Sequence, residues 1–338
     1  MTRTLRSLIL LRTSILLLAA LGMLGLSGCL AVRVTRAVQQ NSALDALPAK
    51  GDVDSASERT LYQDGTARSY LVQVPSGPGP FPVVVLLHGG TQTARETWEQ
   101  TSLPSLAREE GYLMVAPQGV NKHWNDERGV TLAGDASNAD DVAFLNAVID
   151  DVLRRDHGDA SAIFMVGVSN GGFMTMYYAC QSAQRLRAAA SVISNLPSTL
   201  AAQCRPSKSP PWLAINGTDD PIIPYGGQAA GKLENGVAQP ALLSAEATFD
   251  FWADHAGCSE SVDTRTVTGS GDTRVETRTR EKCTGGNRSV QYVIHGAGHV
   301  WPGLAIRMPM IERRLGGTNL TVDSGEIVWD FFASTLNH

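Results

Sequence analysis

Gly167-Val168-Ser169-Asn170-Gly171 follows the apolar run Ile163 to Val166 and leads into Phe173-Met174-Thr175-Met176-Tyr177-Tyr178. A buried strand that enters a helix through G-x-S-x-G makes a nucleophile elbow. The glycines let the backbone turn sharply beneath the serine, whose hydroxyl then stands at the end of a sheet within reach of a base. Ser169 is therefore the candidate nucleophile. Gly and Ser are also common turn residues, so the pentapeptide gains meaning only from partners elsewhere in the chain.

Outward from the elbow, Val83 to Leu87, Tyr112 to Ala116, Ala189 to Ile193, Trp212 to Ile215 and Val290 to Ile294 are short apolar runs without alternation. Strands covered on both faces read this way. Arg59 to Gln63 and Arg68 to Val74 flank Asp64-Gly65, a tight-turn pair, and predict an antiparallel hairpin. Asp140 to Leu153 carries Val142, Leu145, Val148, Ile149 and Val152 at helical spacing, and Ser244 to Ala256 and Val322 to Leu336 are further helical patterns. A hairpin followed by alternating strands and helices predicts an α/β domain whose mostly parallel sheet is covered on both faces, the layout of the α/β-hydrolase fold. Thr264 to Thr268 and Arg274 to Arg280, around Gly269-Ser270-Gly271-Asp272, read as an exposed hairpin decorating that sheet. Gly226 to Lys232 has the spacing of a phosphate loop, but Leu233 stands where a Ser or Thr is needed and no buried strand leads in, so it reads as a surface loop.

A serine hydroxyl needs a base, and the base needs a group that holds its tautomer. In this layout the chain order is Ser, then Asp or Glu, then His. Asn216-Gly217-Thr218-Asp219-Asp220-Pro221 follows one buried run, and His295-Gly296-Ala297-Gly298-His299-Val300-Trp301-Pro302-Gly303 follows another. Both loops fall at carboxyl ends of strands, where α/β sheets place their sites. From the residues alone the acid is Asp219 or Asp220 and the base His295 or His299. The two glycines before His299 favour it, since they let the loop curl back toward the serine, whereas His295 directly ends a buried strand. His88-Gly89-Gly90-Thr91-Gln92 follows the run Val83 to Leu87, at the place where this fold supplies its second oxyanion donor. The backbone N–H groups of Gly90 and Asn170 are the expected pair, with Thr91 the alternative to Gly90 and His88 a structural ligand of the loop. Thr91, Gln92, Trp124 and Trp301 are the candidate pocket residues, and Trp98, Trp212, Trp252 and Trp329 are expected in the core.

Together Leu87 to Gln92, Ala139-Asp140-Asp141-Val142-Ala143-Phe144-Leu145, Gly167 to Gly172, Asn216 to Tyr225 and Gly298 to Gly303 resemble the secreted polyhydroxybutyrate depolymerase-like esterases, a group that includes the feruloyl and acetylxylan esterases of carbohydrate esterase family one. The resemblance covers the chain from about Arg59 onward. It implies Ser169 as nucleophile, Asp220 as acid and His299 as base, acting on a small ester, an oligomeric polyester or a feruloylated or acetylated polysaccharide. One departure is visible: the acid loop of that group usually begins with His, where this chain has Asn216.

Arg3, Arg6 and Arg12 precede the uncharged run Ser14 to Leu26, which ends in Leu26-Ser27-Gly28-Cys29. This reads as a secretory signal over residues 1–28 whose last residues resemble the lipobox of bacterial lipoproteins, so Cys29 is the expected lipidated N-terminus and membrane attachment. Residues 29–57 then read as a flexible tether and 58–338 as one catalytic domain, a length that suits a single large α/β core. With Cys29 acylated, Cys180, Cys204, Cys258 and Cys283 remain, an even number in an exported protein. The sequence-nearest pairing, Cys180 with Cys204 and Cys258 with Cys283, is one of the three connectivities that four cysteines allow. The resemblance implies the same pairing. The net charge of −5 argues against a nucleic-acid footprint, and no motif implies a metal or organic cofactor. No polymer-binding segment follows the last helical pattern, so soluble and oligomeric esters are expected as much as solid polyester. An acyltransferase or a non-catalytic binding lipoprotein of the same fold are the alternative readings.

Overall fold

Ten strands form one sheet in the order β1-β2-β4-β3-β5-β6-β7-β12-β11-β10. The computed structural model describes residues 50–63, 65–128, 138–206, 209–234, 237–259, 263–271, 274–305 and 309–336. The expected signal (1–28), Cys29 and most of the expected tether lie outside them. The strands are β1 (Ser57–Gln63), β2 (Thr66–Gln73), β3 (Phe81–Leu87), β4 (Leu113–Pro117), β5 (Gly158–Val168), β6 (Ala188–Val192), β7 (Trp212–Gly217), β10 (Asp263–Thr268), β11 (Val275–Arg280) and β12 (Ser289–Ile294); β8 (Leu233–Glu234) and β9 (Val237–Ala238) make a separate small ribbon. From β4 through β3, β5, β6 and β7 to β12 every pairing is parallel, and the flanking pairs are antiparallel.

Two helical layers explain why the central runs lack alternation. Successive strand residues point to opposite faces. Val83, Val85 and Leu87 enter one core with Phe144, Leu145, Val148, Ile149 and Val152 of α3 (Asp141–Arg155), Phe173 and Met174 of α4 (Asn170–Ser182) and Phe249 and Trp252 of α6 (Ala245–His255). Val84 and Leu86 enter the other, with Trp98 of α1 (Ala94–Gln100), Leu103 and Ala107 of α2 (Leu103–Glu110) and Phe331 and Phe332 of α8 (Ser324–Leu336). α5 (Ser198–Gln203) and α7 (Pro309–Leu315) are short connectors. The four tryptophans expected in the core are all buried.

Two boundaries differ from the sequence reading. Residues 50–57, assigned to the tether, are docked on the body: Gly51 N–H donates to Thr101 O (2.9 Å), Ser105 Oγ donates to Lys50 O (3.0 Å), Val53 is buried, and Ser57 already pairs with Val72. The small polar composition conceals this because Gly51 fits where any Cβ would meet Trp98 O at 2.3 Å. The hairpin at 263–280 extends the main sheet rather than decorating it. β11 pairs with β12, and Arg278 and Arg280 are buried beneath α6, ion-paired to Asp250 and Asp254. Arginine stems cover apolar surface while their heads find carboxylates, so Thr/Arg alternation in β11 is not exposure, whereas residues 265–268 of β10 are exposed as expected.

Disulfides join Cys180 to Cys204 and Cys258 to Cys283, the sequence-nearest pairing. They tie the elbow helix α4 to the chain after α5, and the chain after α6 to the turn that opens β12. Among the described residues no helix is long and apolar enough to cross a membrane.

Leu86 is fully buried and Tyr62 is 80 % exposed. Leu86→Ala is therefore expected to cost about 2–5 kcal/mol of unfolding free energy and Tyr62→Ala under about 0.5 kcal/mol, read from denaturant midpoints at constant slope.

Candidate functional site

Ser169 sits between the end of β5 and the start of α4 at φ 53°, ψ −118°. A non-glycine residue held at positive φ stores strain, and its neighbours show what holds it there. A Cβ on Gly167 would lie 2.0 Å from Gly171 O, and one on Gly171 would lie 2.3 Å from Leu87 O. Only glycine fits at both places. Ser169 N–H donates to Val192 O at 3.0 Å, while its carbonyl accepts from Gly172 N, Phe173 N and Ser194 Oγ at 2.7–3.0 Å.

The acid and histidine loops converge on this hydroxyl. His299 Nδ1 lies 2.7 Å from Asp220 Oδ2, and His299 Nε2 lies 2.8 Å from Ser169 Oγ. A carboxylate only accepts, so Nδ1 carries the proton and Nε2 is left to accept from the serine hydroxyl. Asp220 Oδ1 accepts from the N–H groups of Ile222 and Ile223, each at 2.8 Å, which aims the second oxygen at the imidazole. Asp219 instead pairs with its neighbour Thr218, whose hydroxyl donates to Oδ1 at 2.8 Å, and His295 lies 3.9 Å from Glu276. Neither joins the constellation. The glycines before His299 act as the sequence reading required: Gly296 adopts φ 71°, and a Cβ on Gly298 would stand 2.1 Å from Leu315 O.

Across the serine, Gly90 and Asn170 border one cleft with Ser169. The N–H of Thr91 donates to Lys122 O at 2.9 Å and is occupied, whereas the N–H groups of Gly90 and Asn170 make no hydrogen bond among the described residues. His88 is fully buried and does structural work. Its Nδ1–H donates to Gly89 O at 2.8 Å, and Nε2 accepts from Gly119 N at 2.9 Å. Burial pushes its pKa down from 6.5 to about 4, with the Gly89 carbonyl opposing the shift.

Four expected pocket residues stand elsewhere. Trp124 is buried beneath the Gly90 loop, where its Nε1 donates to His88 O at 2.9 Å. Trp301 is buried in the core layer that holds α8. Thr91 is exposed, and the Gln92 amide is engaged by Gly89 N–H and Gln100. Proximity to a motif in sequence does not say which way a side chain turns, and each of these turns away. The cleft is lined instead by His123, Arg128, Phe173, Ile222, Ile223, Gln228, Gln239 and Leu242 beside Ser169. Gln228 thus gives the loop at 226–232 a place at the site, and the Gln228 N–H pairs with Leu242 O (3.1 Å) to put it there.

The segment from Gly119 to Arg128 brings His123 and Arg128 to the cleft, although the sequence reading named only Trp124 from it. Asp141 anchors it: Oδ2 accepts from Asn125 N at 2.7 Å and Oδ1 from Arg68 Nη2 at 2.6 Å. Burial raises the Asp141 pKa, and the Arg68 charge pulls against that shift. Asn170 Oδ1 accepts from Trp124 N at 2.7 Å, and Asn170 Nδ2 donates to Asp126 Oδ2 at 2.7 Å. Asn216, the departure in the acid loop, donates from Nδ2 to Ser194 O and Asn195 Oδ1 at 3.3 and 3.2 Å.

The family model described as the alpha/beta hydrolase fold matches residues 82–207, from β3 past the elbow. The chain is an esterase of the α/β-hydrolase fold. It is 26 % identical over 288 residues to a putative esterase from Nocardia uniformis subsp. tsuyamanensis, covering 82 % of each chain. It is 30 % identical over 157 residues to a probable feruloyl esterase C from Aspergillus niger, covering 44 % of this chain and about half (53 %) of that relative. An acetyl xylan esterase structure from Aspergillus awamori superposes at TM-score 0.49 and 16 % identity, over 76 % of this chain and 98 % of that one.

The depressed value of His88 fixes a sign. In the unfolded chain this imidazole takes up a proton below about 6.5, while the fold keeps it neutral down to about 4. Its contribution is whole above pH 6.5 and is lost as pH falls toward 4, with a slope of at most about 1.4 kcal/mol per unit. His88→Gln is expected to lower stability at neutral pH and to flatten that acid limb, measured as urea midpoints from pH 4 to 8.

Proposed function

We propose that the esterase acts through an acyl-enzyme on Ser169, with His299 as general base and acid and Asp220 as the group that orients it. The observation that carries this reading is the chain of short contacts from Asp220 Oδ2 to His299 to Ser169 Oγ. His299 takes the hydroxyl proton as Oγ attacks the ester carbonyl. The N–H groups of Gly90 and Asn170 receive the oxyanion, a contribution of roughly 3–4 kcal/mol per donor. His299 then returns the proton to the leaving alcohol, and water repeats the sequence on the acyl-enzyme.

The substrates proposed are esters of modest size: feruloyl or acetyl esters of polysaccharide fragments, or hydroxyalkanoate oligomers. The motif resemblance supports this class, as do the names of the relatives. Phe173, Ile222, Ile223 and Leu242 give the cleft an apolar lining suited to an acyl group. Ser169→Ala is expected to abolish hydrolysis of a chromogenic acetate ester and labelling by a fluorophosphonate at an unchanged melting temperature. Asp220→Asn, which strips the imidazole of its acceptor, is expected to lower kcat by roughly 10⁴-fold. Labelling of the Ser169→Ala protein at the wild-type rate would refute the assignment.

We further propose that the protein is exported and held at a membrane of the cell envelope by lipid on Cys29. The order of basic segment, apolar run and Leu26-Ser27-Gly28-Cys29 supports it, and two disulfides suit an oxidising compartment. Cys29→Ala is expected to move the protein from the detergent phase to the aqueous phase and to lose metabolic labelling by palmitate.

A further inference from the structure

Arg128 is a cation at the wall of the cleft that holds Ser169. Its Nε donates to Asp126 Oδ1 at 2.9 Å and its Nη2 to Asp126 Oδ2 at 2.8 Å, so one edge of the guanidinium is fully used. Its plane is held by Phe173, with Cζ 3.6 Å from the ring centroid, and its side chain is only 10 % exposed. Asp126 is fixed in turn, because Oδ2 also accepts from Asn170 Nδ2. Among the described residues Nη1 makes no hydrogen bond, and the residue borders the same cleft as Ser169. A guanidinium held on one edge and one face, with its remaining amino group unpaired among the described residues and at the same cleft as the candidate nucleophile, is a preorganised donor.

We propose that Arg128 is a specificity-determining residue that binds, through Nη1, an oxygen carried by the substrate's acyl chain beyond the reacting carbonyl. The proposal rests on Ser169 acylation and adds to it the kind of acyl group preferred. The oxygen is uncharged, for two reasons. Asp126 already balances the guanidinium, and a second carboxylate would face the first across a single, largely buried cation. An ether, hydroxyl or carbonyl oxygen takes the bond without that repulsion. A plain alkyl chain leaves Nη1 desolvated and unpaired, which is the costly side of a hydrogen bond.

The test uses the full chain and 4-nitrophenyl esters in isosteric pairs: methoxyacetate against butanoate, 3-methoxypropanoate against pentanoate, and 4-methoxybutanoate against hexanoate. Within each pair one CH₂ becomes an oxygen, and comparison of variant with wild type cancels the intrinsic reactivity of each ester. At one chain length the wild type is expected to favour the ether in kcat/KM, and Arg128→Met to reduce that ratio by roughly tenfold or more. Arg128→Lys keeps the charge but not the fork, and is expected to lose at least about half of the preference on a logarithmic scale. It serves as the second variant if the Met protein fails to fold. Equal ratios in wild type and either folded variant at every length overturn the proposal, as does a preference for the half-ester of a dicarboxylic acid over both members of a pair. Loss of all turnover and of fluorophosphonate labelling in the wild type would refute the Ser169 reading itself, whereas turnover without preference refutes only the role of Arg128.

Discussion

The close approach of three backbone segments under Ser169 is the constraint on which the site depends. Gly167 and Gly171 stand where a side chain would enter the backbone of the helix start or of β3, and Gly172 stands where a Cβ would lie 2.1 Å from Ser194 Oγ. A serine at φ 53° costs about 1–3 kcal/mol and needs an over-determined setting. The setting is the sheet itself: β5 is paired on both sides, by β3 through Leu87↔Gly167 and by β6 through Val168↔Val192. Sheet register thus becomes hydroxyl position. Large core residues with well-defined packing matter to catalysis here because they hold that register, not because they touch the reacting atoms.

A second layer of polar contacts carries the precision across to the oxyanion side. The buried pair Arg68–Asp141 is weak evidence of stability, since desolvation of both charges offsets most of their attraction. Its geometric effect is plain. Asp141 begins α3 and holds Asn125, two residues from His123 and one from Asp126, so a helix on one face of the sheet fixes the loop that borders the cleft. Trp124 and Asp126 then grip the side chain of Asn170, a residue that borders the cleft. A neutral His88 completes the arrangement: it needs Nδ1 as donor and Nε2 as acceptor at once, and protonation would set Nε2–H against Gly119 N–H.

The strands were legible in the sequence because burial on both faces leaves runs such as Val83 to Leu87 with no polar residue to interrupt them. The contacts among Ser169, His299 and Asp220 were legible because the fold fixes their chain order and the loops that carry Asp220 and His299 directly follow such runs. α1 was not read, although Thr93 and Glu96 form a capping box that marks its start. Its apolar face is only Ala94, Thr97 and Trp98, too few for a helical period to stand out. The pocket was the part least written in local sequence. Trp124 and Trp301 lie beside motif residues but turn into the core, while Gln228 and Leu242 reach the cleft from a loop whose composition reads as surface. Arg128 is visible only through Asp126 and Phe173, contacts that depend on tertiary structure and leave no spacing to find.

The acid loop shows how such a site separates chemistry from selectivity. Ile222 and Ile223 hold Asp220 through their backbone N–H groups and present their side chains to the cleft. The two functions use different atoms of the same residues. Substitution of either side chain can reshape the acyl wall while the amides continue to aim the carboxylate, provided the backbone stays in place. The same division holds at Asn170, whose main-chain N–H is the proposed oxyanion donor while its amide side chain is tied to Trp124 and Asp126. Backbone groups do not vary with sequence, so a fold that assigns orientation to them and recognition to side chains can accept new esters without rebuilding its triad. Arg128 belongs to the recognition half of that division, joined to the elbow through the shared carboxylate of Asp126 and through the ring of Phe173.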